Sequence, residues 1–211
     1  MPDLFKTARG PGEAEITEKK SRFIATVRPV GTEEEARAFI EEMNKKYWNA
    51  SHNVYAYRVS GAGDVERFSD DGEPQGSAGM PVLNVLASRD IKNTCIVVTR
   101  YFGGTLLGVG GLVRAYGKAA AAGLEAAGVA EMALVSEFSV AADYSLLGKL
   151  QYYAASGGHY IEDTVYTDKA ELVILVRKEK NEEFIKGVSD AASGQARITK
   201  KGEKYVDLAM L

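Results

Sequence analysis

The chain has 211 residues, 45% of them hydrophobic and 26% charged, with 26 basic and 29 acidic side chains giving a formal net charge of −3. That composition fits a folded protein of one large or two small domains and excludes a fibrous repeat, a disordered chain and a wholesale attraction for polyanions. The lone Cys95 excludes an internal disulfide and paired-cysteine zinc sites. No apolar run reaches the roughly 20 residues that cross a bilayer, and Met1-Pro2-Asp3 does not open a secretion signal, so a cytoplasmic protein with no membrane partner is expected.

Residues 13–28 read as extended, interrupted by the charged Glu18-Lys19-Lys20. Thr32 and Glu35 match a capping box, and Ala36, Phe39, Ile40, Met43 and Tyr47 recur at helical spacing behind it. A hairpin follows: a strand at residues 54–59, a turn at Gly61-Ala62-Gly63-Asp64, and a return from Val65 to Phe68. Residues 69–79 are too polar and too rich in turn-formers for a regular element. Pro81 then begins a helix carrying Val82, Leu83, Val85 and Leu86, a buried strand covers residues 94–99, and a glycine-rich loop at residues 103–111 leads into an alanine-rich helix over residues 112–127.

From residue 134 the order is strand, helix, two strands, helix, strand. A domain at residues 1–133 is therefore followed by a βαββαβ domain at residues 134–211, which suggests a ferredoxin-like module. The fold class expected is α+β.

Two loops attract chemical attention. Gly103, Gly104, Gly110 and Gly111 stand between a strand and a helix, where bare backbone N–H groups can meet an anion. The nucleotide fingerprints fail, however: Val113 occupies a position where a dinucleotide loop needs glycine, and Gly117-Lys118-Ala119 lacks the P-loop hydroxyl. Close packing and positive φ explain the same glycines equally well. Arg100 ends the buried strand beside Tyr101 and Phe102, while Arg114 and Lys118 share a helix face, which places cations and aromatics around the loop.

The other loop supplies Asp70, Asp71 and Glu73, which suit a divalent ion; Asp70 and Asp71 equally suit turn capping or pairing with Arg58, Arg100 or Arg114. His52 is a base or a backbone partner. A triad of His52 and Asp70 with Ser69 or Ser77 lacks the nucleophile-elbow glycines.

Gly79, Val82, Leu83, Leu86, Ile91 and the stretch from Val97 through Arg100-Tyr101-Phe102-Gly103-Gly104 to Gly108 closely resemble the signature of the IMPACT/YigZ family. The segments Ser21–Ala25, His52–Tyr57, Ser69–Pro74 and Gly110–Tyr116 extend the match. The resemblance implies a first domain similar to the second domain of ribosomal protein S5 (the UPF0029 type) and a second, DUF1949-like domain similar to a terminal domain of elongation factor G. It also implies a translation-associated role; eukaryotic relatives regulate translation through a partner whose binding extension is not expected here.

The leading expectation is a protein binding RNA, the ribosome or a protein partner in a groove between the two loops. Arg100, Arg114 and Lys118 contact phosphate, Tyr101 or Phe102 stacks, and Arg22, Asn53, Gly103, Gly104, Gly110 and Gly111 complete the lining. A metal-assisted hydrolase built on Asp70, Asp71, Glu73 and His52 is the rival, and a pure protein-interaction patch the third reading. No cofactor and no resident metal is expected, and no pattern fixes an oligomeric state.

Overall fold

The computed structural model describes residues 3–61 and 63–210. Ala62, in the expected hairpin turn, lies outside the described residues. The fold is α+β, and the chain divides into two compact units between Ala130 and Glu131. Asp3 and Leu4, expected in the first domain, group with the second.

In the first unit a sheet of antiparallel strands runs in the order β2 (Gly12–Glu18), β3 (Ser21–Pro29), β6 (Thr94–Tyr101), β4 (His52–Ser60) and β5 (Asp64–Ser69). The central strand β6 is buried from Thr94 through Arg100 because both faces of the sheet are covered. Cys95 and Val97 alternate to one face and join Phe39, Ile40 and Met43 of α1 (Glu33–Lys46). Ile96 and Val98 point the other way, toward α2 (Gly79–Ser88) and α3 (Val109–Ala127).

α1 starts as a capping box: Glu35 N–H donates to Thr32 Oγ1 (3.2 Å), and the Glu35 carboxylate accepts from Gly31 N–H (2.6 Å), one residue earlier than the usual partner. α3 starts at Val109, earlier than its apolar spacing suggests. Gly108 forms the N-cap at φ +72°, so Gly110 and Gly111 belong to the first helical turn and not to a loop. Further along, a Cβ on Gly123 would lie 2.8 Å from that of Ala25, so glycine lets α3 settle onto β3.

The second unit has β7 (Val129–Ala142), α4 (Tyr144–Ser156), β8 (Tyr160–Tyr166), β9 (Ala170–Arg177), α5 (Asn181–Ala191) and β10 (Arg197–Asp207). Strand order β10-β7-β9-β8 with antiparallel pairing is the ferredoxin-like arrangement expected of βαββαβ. Its core joins Phe138, Leu172 and Ile174 of the sheet to Leu150, Phe184 and Val188 of the helices. The strand β1 (Leu4–Ala8), which no sequence pattern announced, pairs with β7.

His159, between the Gly157-Gly158 turn and β8, is buried at 8% exposure with its ring edge-on to Phe184, centroids 5.0 Å apart. Burial, assisted by Lys180, pushes its pKa below the usual histidine range. The unfolded chain therefore takes up this proton first, and stability falls as pH drops through the ordinary histidine range toward the lowered folded value. Urea titrations between pH 7.5 and 5 should show this slope, flattened in His159→Gln.

Candidate functional site

Strand register builds the site. Arg100 on β6 lies opposite Phe23 on β3 and opposite His52 on β4, so the end of the sheet brings three side chains from distant segments side by side. β6 runs two residues past its expected end, which takes Arg100 into the sheet. Arg100 is 5% exposed, and its guanidinium stands 5.4 Å from the Phe23 ring and 5.5 Å from the Phe102 ring.

A buried cation needs a counter-charge. Glu73, itself 9% exposed, supplies it: its Oε1 lies 2.5 Å from Arg100 Nη1 and accepts a second hydrogen bond from the Tyr116 hydroxyl of α3 at 2.8 Å. Burial and the Glu73 charge push the Tyr116 phenol well above its usual range, so it stays a donor. His52 Nδ1 lies 2.7 Å from the carbonyl of Asp71; a carbonyl only accepts, so Nδ1 carries the proton, and Nε2 faces Glu73 at 3.8 Å. Arg100 is thus not the free phosphate contact expected; its charge is neutralised inside the fold.

The acidic loop is organised by its own carboxylates. Asp70 accepts from the N–H groups of Gly76 (2.8 Å), Ala78 (3.0 Å) and Gly79 (2.8 Å), which closes the loop and covers the open start of α2. Asp71 accepts from Asn53 N–H at 2.6 Å. With Asp70 and Asp71 bonded to backbone and Glu73 to Arg100, the three carboxylates do not converge, which corrects the metal-assisted reading. Among the described residues no His, Cys, Asp and Glu side chains form a metal-holding group of three. Ser69 Oγ accepts from Asp71 N–H and Ser77 Oγ donates to the Pro74 carbonyl, so both serines serve turns.

The two loops do meet. They border a hollow of about 440 Å³ with His52, Glu73 and Arg100 at its polar end and Phe102, Leu106, Leu107, Val109 and Leu112 among its walls. Leu106 is 83% exposed, and Val109 and Phe102 are also exposed. Of the apolar walls Phe102 was expected, while Leu106, Leu107, Val109 and Leu112 were passed over among or behind conspicuous glycines; Tyr116 was legible as a tyrosine on a buried helical stripe, which needs a partner for its hydroxyl.

The remaining expected residues fall outside the groove's chemistry. Arg22 forms a two-pronged ion pair with Glu15 on the surface, and its guanidinium lies 5.6 Å from the Tyr101 ring. Tyr101 donates to Asn49 (3.0 Å), and Asn53 accepts from Thr99 (2.7 Å). Gly103 is a packing glycine: a Cβ there would lie 2.1 Å from the Lys20 carbonyl, while its N–H donates to Ser21 Oγ. Gly104 adopts φ +81°. Arg114 and Lys118 are exposed on α3 and do not line the groove.

The Impact N-terminal domain family model matches residues 19–124, and the model of a domain of unknown function, DUF1949, matches residues 140–195. The IMPACT family member YvyE of Bacillus subtilis is 41% identical over 211 residues, covering 100% of this chain and 97% of that protein. The IMPACT family member YigZ of Escherichia coli is 46% identical over 102 residues, 47% of this chain and 50% of YigZ. A crystal structure described as that of a hypothetical protein superposes with a TM-score of 0.61 at 29% identity, covering 94% of this chain and 97% of that one.

If the Arg100–Glu73 pair holds the loops together, Glu73→Leu, which strands the buried cation, should cost about 3–5 kcal/mol in urea unfolding. The Glu73→Leu, Arg100→Met double variant should recover most of that loss.

Proposed function

The chain belongs to the IMPACT family, and from that premise we propose that it is a translation-associated accessory protein that binds a protein partner in the groove between its acidic and glycine-rich loops. The translational setting comes from what the family resemblance implies. The groove's own chemistry supports the choice of partner.

One observation carries it: the groove is walled by Phe102, Leu106, Val109 and Leu112, while its one arginine is buried and paired with Glu73. A phosphate backbone needs accessible cations and finds none in this hollow. An apolar side chain gains from leaving water there, at about 25 cal/mol per Å² buried. The polar end, formed by His52, Glu73 and Arg100, gives such a side chain an orientation. This favours the protein-interaction reading over direct RNA contact at the same place.

The full chain carrying a photo-crosslinker at position 106 should form adducts with a protein component of the translation machinery. Val109→Asp should reduce that yield about tenfold or more without altering the melting curve. Adducts to RNA alone, or a yield indifferent to Val109→Asp, would overturn the groove as a protein site.

A further inference from the structure

Arg114 and Lys118 stand about one turn apart on the exposed face of α3, and neither makes an ion pair or side-chain hydrogen bond among the described residues. With Lys19 they border a second hollow, of about 220 Å³, into which Leu107 and Gly111 also face. Glu18 is the one carboxylate on its rim and forms no ion pair among the described residues. Three cations therefore oppose one anion on a chain whose net charge is −3.

Lys19 is held there by the backbone. The β2–β3 hairpin pairs Glu18 with Ser21 and closes through Lys19 and Lys20 at φ 45° and 68°. Positive φ at both central residues is the type I′ turn, for which Asn-Gly is the usual solution; lysine has a Cβ that resists it. The tip is also clamped, since the Gly103 backbone packs against the Lys20 carbonyl and donates to Ser21. Backbone strain retained at such a point is a pointer to function.

We propose that this hollow binds a phosphoryl group through Lys19, Arg114 and Lys118. The arginine fork matches phosphate oxygens, and a group with two negative charges matches the excess of two cations better than a carboxylate. An extended nucleic-acid backbone fits less well, because other surface arginines of this unit, Arg22, Arg28 and Arg89, are paired with Glu15, Glu42 and Glu125. Those paired arginines add no free charge to extend the hollow into a basic track. The site stands independently of the groove reading.

Calorimetric titration of the full chain with inorganic pyrophosphate at low ionic strength should show binding that weakens with added salt. Arg114→Ala and Lys118→Ala should each weaken it about tenfold or more. The Lys19→Asn, Lys20→Gly double variant should raise the melting temperature, because Asn-Gly suits the turn, and still lose about tenfold in affinity, so that unfolding cannot account for the loss. Leu106→Asp should leave pyrophosphate binding unchanged, which separates this site from the groove.

A short RNA carrying a 5′-phosphate, compared with its 5′-hydroxyl form, identifies the source. Preference for the phosphorylated end assigns a terminal phosphoryl group on RNA, and weak binding of both beside clear pyrophosphate binding assigns a free one. Equal and tighter binding of both RNAs would overturn the single-phosphoryl site in favour of backbone contact. Absence of pyrophosphate binding, or affinity unchanged in all three variants, would overturn it outright.

Discussion

The first unit depends on one buried ion pair. Arg100 and Glu73 arrive from the end of the central strand and from an irregular loop, and Tyr116 joins them from a helix that begins beyond the second loop. Each charge alone would carry a desolvation cost of several kcal/mol; together, with the tyrosine hydroxyl as a further donor, they satisfy most of one another's needs. Apolar residues of similar volume would often serve stability as well. What they would lack is direction: an Arg–Glu–Tyr chain has one arrangement, and it draws the acidic loop toward α3.

The same pair determines the electrostatics of the surface above it. Because the Arg100 charge is satisfied internally, the groove presents hydrocarbon, and the accessible cations of this region lie beyond Leu107, which lines both hollows. Two neighbouring hollows of opposite character result, one walled by hydrocarbon and one bordered by cations. An arginine's position in the sequence says nothing about which of these it serves; its counter-ion does.

Local signals in the sequence were sound where local physics decides. The Thr32–Glu35 cap and the stripe through Phe39 and Met43 announce α1, and the βαββαβ succession announces the second unit's sheet. β1 escaped because five residues paired with a strand more than a hundred positions away carry no local pattern of their own. The state of Arg100 escaped for the same reason: its partner lies 27 residues earlier, in a loop whose path is set by Asp70 and its bonds to residues 76, 78 and 79. Residue types in those loops were legible, but their pairing was a tertiary fact.

The glycine-rich segment shows how conspicuous residues mislead. Gly103 admits the β2–β3 hairpin tip, Gly104 and Gly108 adopt positive φ, and Gly110 and Gly111 turn inside α3; each has a backbone reason that involves no ligand. Once those are accounted for, the residue that lacks an internal explanation is Leu106, 83% exposed in a segment bounded by positive-φ glycines. Single exposed leucines are common. This one is different because Phe102, Val109 and Val113 are exposed close to it in sequence and it borders a hollow with apolar walls, which is the pattern the proposed partner site rests on. The glycines shape the backbone, and the proposed recognition rests on the apolar side chains they hold in water.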